Sequence, residues 1–86
     1  MGRKYAVRLL FLLGERGQMR FGDLQSEIAD MSSSTLSIRL SELEGAGLVR
    51  RRVFPEIPPR VEYTLTKEGK DIRKSLFALS KFATRK

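Results

Sequence analysis

Two runs of this chain carry side chains suited to chemistry on a polyanion. Arg50, Arg51 and Arg52 stand in a row, and Arg60 follows a pair of prolines. Ahead of them lie Ser32, Ser33, Ser34 and Ser37, then Ile38 and Arg39. A guanidinium neutralises phosphate and can bind it through two parallel donors. A serine hydroxyl donates and accepts, so it can meet a phosphate oxygen or a base edge. Catalytic chemistry has little to work with. His and Cys are both 0, which removes an imidazole base, a thiolate nucleophile and Cys/His zinc sites. No glycine-rich phosphate loop is present. Carboxylates number 10, and the sequence alone leaves open a pair meeting in space, but neither an enzyme nor a cofactor is expected.

Charge agrees with a polyanionic partner. The 86 residues hold 17 Lys+Arg against 10 Asp+Glu, a net charge of +7. Such a surplus favours nucleic acid through counterion release, although it also serves plain solubility. The longest uninterrupted apolar run, Leu9 to Leu13, is far too short to span a bilayer, and no signal-peptide pattern precedes it. The expectation is a cytoplasmic protein with no membrane partner. The length fits one domain over residues 1–86, with a core small enough that a dimer interface would help it.

The elements that must position these side chains follow from period and punctuation. A first helix is expected from about Lys4 to Leu13, ended by Gly14 and Gly17. Met19, Arg20 and Phe21 read as a short strand that would join a sheet further on. Gly22 is an acceptable N-cap for a second helix, with Asp23 in its first turn and Leu24 and Ile28 on one face. Ser32 caps a third helix running to about Glu44. At 100° per residue Leu36, Leu40 and Leu43 share one side of it, while Ser34, Ser37, Ile38 and Ser41 point the other way and Arg39 sits on the flank.

Gly45 or Gly47 stops that helix, and strands Leu48–Phe54 and Val61–Leu65 follow. The two-residue period places Val49, Val53, Val61, Tyr63 and Leu65 on one face and Arg50, Arg52, Glu62 and Thr64 on the other. That register sets Arg52 opposite Glu62. Arg51 has the parity of the valines, which suggests an ion partner buried in the stem. Pro55, Pro58 and Pro59 cannot donate to a ladder and mark the hairpin tip. Thr66 caps a last helix, over about 66–84, with Ile72, Leu76, Leu79 and Ala83 in one apolar stripe and Phe82 beside it.

Helix, glycine turn, basic two-stranded ribbon and helix make the layout of a winged helix-turn-helix: an α+β, mostly helical fold with a small antiparallel wing and a long C-terminal helix. The expected partner is double-stranded DNA. On this reading Ser33, Ser34, Ser37, Ile38 and Arg39 lie toward the major groove, with Ile38 suited to a thymine methyl. Arg50 and Arg52 would track the backbone, and Arg60 would enter a narrow minor groove from the stiffened tip. For Arg39 an internal pair with Glu42 or Asp23 is the alternative, and for Arg60 a solvated loop charge. Tyr5, Leu76, Leu79, Phe82 and Ala83 are the expected dimer contacts.

The residues resemble the HxlR-type regulators, a winged-helix family near MarR and ArsR. The resemblance lies in Arg20-Phe21-x-Asp23-Leu24, in Ser32 with Leu36, Arg39-Leu40 and Glu42-Leu43-Glu44, and in Gly47-Leu48-Val49. Its most specific part is Pro55-Glu56-Ile57-Pro58-Pro59-Arg60-Val61-Glu62-Tyr63 followed by Leu65-Thr66-x-x-Gly69. The resemblance implies a prokaryotic, homodimeric transcription regulator that binds near-palindromic DNA through the third helix and the wing. Family members carry a segment ahead of the first domain helix, so here the dimer is expected to lean on the last helix. Thiol-based sensing, known in part of the family, has no cysteine to use. The reading face is small and nearly uncharged where relatives often place Gln, Lys or Arg. A sequence-tolerant, abundant DNA coater is therefore the alternative, and a winged helix that binds only protein is a weaker one. No small-molecule effector is identified.

Overall fold

The computed structural model describes the backbone of residues 2–83 and the side chains of residues 5–82. Its elements are α1 (Gly2–Arg16), β1 (Gln18–Arg20), α2 (Phe21–Glu27), α3 (Ser33–Gly45), β2 (Val49–Phe54), β3 (Arg60–Leu65) and α4 (Lys67–Ala83). The strands form one antiparallel sheet in the order β1-β3-β2, so the first short strand does join the wing sheet. Arg52 stands opposite Glu62, as the two-residue period predicts. Leu9, Leu13, Leu24, Ile28, Leu36 and Leu40 are fully buried, and Met19, Val49, Tyr63 and Leu65 close the core from one face of the sheet.

Several boundaries differ from the sequence expectation, each for a physical reason. α1 passes through Gly14 and ends at Gly17, whose φ of 90° is the left-handed region that stops a helix. A lone glycine weakens a helix without breaking it. Here its missing Cβ leaves a slot that the side chain of Arg73 fills from α4. β1 lies one residue earlier than expected, and Phe21 opens α2. The N-cap is therefore Arg20 rather than Gly22, and Asp23 accepts a hydrogen bond from the Arg20 backbone N–H at 3.3 Å. β2 begins at Val49, one residue later than expected, and the bond from the Thr66 N–H to the Leu48 carbonyl at 3.0 Å continues the hairpin register into the turn before it.

The caps of α3 and α4 form as expected. Ser32 Oγ accepts from the Thr35 N–H at 3.2 Å and starts α3. Thr66 Oγ1 accepts from the Gly69 N–H at 3.0 Å and itself donates to the Gly47 carbonyl at 2.6 Å. A Cβ on Gly69 would collide with the Leu48 carbonyl. The first turn of α4 is thus seated directly on the turn that ends α3. At the other end of the domain, Arg8 of α1 pairs with Asp30 at 3.1 Å, and that guanidinium holds the Asp30 carboxyl below its ordinary range. Thr84, the expected end of the last helix, and the side chain of Ala83 lie outside the described residues.

Candidate nucleic-acid interface

α3 sorts its residues by helical period. Leu36, Leu40 and Leu43 are buried, while Ser33, Ser34, Ser37, Ile38 and Ser41 are exposed together on the opposite side. This outward face is short, mostly hydroxylated and carries one apolar side chain. Arg39 lies at its edge, three-quarters covered, and donates to Glu42 at 2.6 Å. The internal pair with Glu42, the alternative expected for Arg39, is formed.

The wing has two faces of different character. Met19, Tyr63, Leu65 and Val49 belong to the face turned toward the helices. Arg51 shares that face but is exposed, because β2 runs past the core after Val49. It does not form the expected buried ion pair. It lines a concavity of about 450 Å³ with Ser37, Ser41 and Glu44 of α3 and with Phe21, Val61 and Tyr63. Sequence reasoning missed Arg51 as a candidate contact by equating a strand face with burial. Parity alone would have put it on the α3 side.

The other face carries Arg20, Arg50 and Arg52, all exposed, around Glu62 on the central strand. Glu62 is 9% exposed, and its ion partner is Arg60 at 3.2 Å rather than the cross-strand Arg52. Arg52 lies over the Phe54 ring at 5.1 Å. No carboxylate among the described residues pairs with Arg50, Arg51 or Arg52. Arg60 stands at the base of the loop formed by residues 55–59, folded against the hairpin and not extended beyond its tip.

The expected dimer residues divide as well. Tyr5 is half-buried, packs against the core and donates to Asp30 at 3.5 Å. Leu76 also packs against the core, whereas Leu79 and Phe82 are 63% and 75% exposed. Phe77 belongs with the exposed set and meets Phe11 edge-on, with ring centroids 6.4 Å apart. No helix among the described residues is long and apolar enough to cross a membrane. Among the same residues no cluster of acidic, His or Cys side chains is placed to hold a metal.

Comparison with known proteins agrees with this architecture. The profile of the HxlR-like helix-turn-helix family matches residues 1–86. An HTH-type transcriptional regulator of Synechocystis is 45% identical over 69 residues, covering 80% of this chain and 51% of its own length. The regulator YvaP of Bacillus subtilis is 38% identical over 84 residues, covering 98% of this chain and 77% of its own. The chain thus spans about half the length of the Synechocystis relative. Among solved structures, a MarR-family transcriptional regulator of Enterococcus faecalis V583 superposes with a TM-score of 0.83 at 39% identity, over 88% of this chain and 68% of the other.

Proposed function

This chain belongs to the HxlR-like helix-turn-helix family of transcriptional regulators, and from that premise we propose that it binds operator DNA as a homodimer. α3 would enter the major groove with Ser33, Ser34, Ser37 and Ile38 toward the base edges and adjoining phosphates. The observation that carries this reading is the concavity between α3 and the wing. An unpaired cation, Arg51, faces the outward serines of α3 across it, and a phosphodiester backbone passing between helix and wing would meet both. Glu44 in the same wall tempers the charge, so Arg51 holds the backbone at the wing side. Arg50 and Arg52 add positive field from the outer face. Arg39, tied to Glu42, acts as a flank contact only when that pair opens.

The dimer would form through the end of α4, where Phe77, Leu79 and Phe82 are exposed on a small domain. Tyr5 and Leu76 would support that surface from below. Such a regulator works where the DNA is, in the cytoplasm. The test is titration of the purified protein against the duplex upstream of its own coding region and against an unrelated duplex, across a salt series, with sedimentation at micromolar concentration. The expected result is a dimer that prefers the first duplex and loses affinity steeply with salt. Equal affinity for both duplexes would favour the sequence-tolerant coater, and no binding to either would sink the DNA reading.

A further inference from the structure

The wing loop ends on Arg60, and three groups hold that side chain. Its Nη1 lies 3.2 Å from Glu56 and its Nε 3.2 Å from Glu62, the latter close enough for charge attraction although out of line for a hydrogen bond. The guanidinium also lies over the Phe54 ring, 4.1 Å from its centroid. Arg60 is left with a side chain only 26% exposed. The two carboxylates engage the charge of Arg60 itself, so a phosphate must compete with them for this guanidinium, while Arg52, over the same Phe54 ring, keeps no carboxylate partner among the described residues. This is the geometry of a brace, and it differs from that of a groove-entering cation.

The brace fixes what lies above it. Glu56, pinned by Arg60, donates its backbone N–H to the Phe54 carbonyl at 2.8 Å. Pro55, Pro58 and Pro59 restrict the rest of the loop through their fixed φ. Between them Ile57 stands fully exposed, a β-branched apolar side chain on a loop with little freedom to fold it away. The sugar walls and floor of a minor groove offer apolar contact, and apolar side chains placed there wedge against base steps. We propose that Arg60 is a positioning residue of the wing, and that the group the wing delivers to the minor groove is Ile57. This rests on the DNA-binding reading above.

The experiment is a salt-series titration of the full chain and four variants, Ile57→Ala, Arg60→Ala, Phe54→Leu and Glu62→Gln, with the double variant Ile57→Ala/Arg60→Ala. Each single variant should weaken binding about five-fold, the size of one modest contact. Each should keep the wild-type slope of log affinity against log salt, and the double variant should lose no more than the stronger single one. Glu62→Gln is the sharpest arm. It removes a negative charge from the wing, so a purely electrostatic wing would bind more tightly, whereas a braced wing binds more weakly.

The proposal is overturned if Arg60→Ala lowers the salt slope by about 0.9, the mark of one lost phosphate contact. Tighter binding by Glu62→Gln overturns it too, as does Ile57→Ala binding like wild type. Ile57 is fully exposed, so its replacement leaves the fold intact and that arm reads binding alone. A wild-type protein that binds no duplex would instead refute the DNA-binding reading itself.

Discussion

α3 and the wing are the two surfaces proposed to meet DNA, yet they are built on opposite principles. On α3 the backbone decides. A 3.6-residue period, started by the Ser32 cap, turns Leu36, Leu40 and Leu43 inward and Ser34, Ser37 and Ile38 outward, and no outward serine depends on a side-chain neighbour for its direction. On the wing the side chains decide. Arg39 aside, the cations that matter stand on β2 and β3, where parity chooses a face but competition among Glu56, Glu62 and Phe54 chooses which arginine remains free. The outward set of α3 is therefore fixed by position, and the free cations of the wing by which neighbours engage the others.

The largest expected effect tests the two sides of α3 against each other. Leu40→Ala should cost about 2–5 kcal/mol of unfolding free energy in a denaturant titration, since it empties a site in the core. Ile38→Ala on the same helix should stay within about 0.5 kcal/mol. Comparable losses from both would mean that α3 packs on two sides.

Next comes the division between the wing's faces. Arg51→Ala should weaken specific and random duplexes alike by about 1 kcal/mol and lower the salt slope by about one. Arg52→Ala, on the outer face, should do less. Ser37→Ala should instead narrow the gap between the two duplexes while leaving the slope unchanged. A larger slope change from Arg52→Ala than from Arg51→Ala would reverse the assignment of faces.

Ser32→Ala isolates the start of α3. It removes the acceptor for the Thr35 N–H and should lower stability by about 1 kcal/mol in thermal unfolding, with DNA affinity falling only in proportion.

The smallest effect belongs to a region outside both surfaces. Asp30 has its carboxyl held below the ordinary value of 3.8, first by the hydrogen bond from Arg8. A lowered folded-state pKa contributes stability that is complete above the unfolded value and fades as pH falls through the folded one. Asp30→Asn should therefore be slightly less stable than wild type near neutrality, and the two should converge below about pH 4. A difference that grows in acid would contradict the pairing.

The legibility of the chain divides along the same line. Helix faces, the Ser32 and Thr66 caps, the hairpin register and the third strand were readable because each follows from a period or a local hydrogen bond. Gly14 was not, since its role is a slot for Arg73, a residue 59 positions along the sequence from it, and no local rule names a distant occupant. Gly22 failed as a cap because Asp23, one residue later, reaches back to a donor at position 20. The exposure of Arg51 and the ion partners of Arg60 were not legible either, for a shared reason. They depend on how far β2 outruns the core and on which carboxylates stand nearest, and both are properties of the assembled sheet.

The seat of α4 on the turn after α3 turns that helix into a lever. Thr66 bonds the Gly47 carbonyl, and the close packing of Gly69 on Leu48 leaves no room for slippage at the pivot. The arm is 17 residues, about 25 Å at helical rise, with its exposed apolar end farthest from the pivot. In a dimer joined at those ends, the distance between the two reading helices is set by the pitch of this arm. On the proposed DNA-binding reading, half-site spacing would then depend on Gly69, a residue buried at the pivot and away from the outward face of α3.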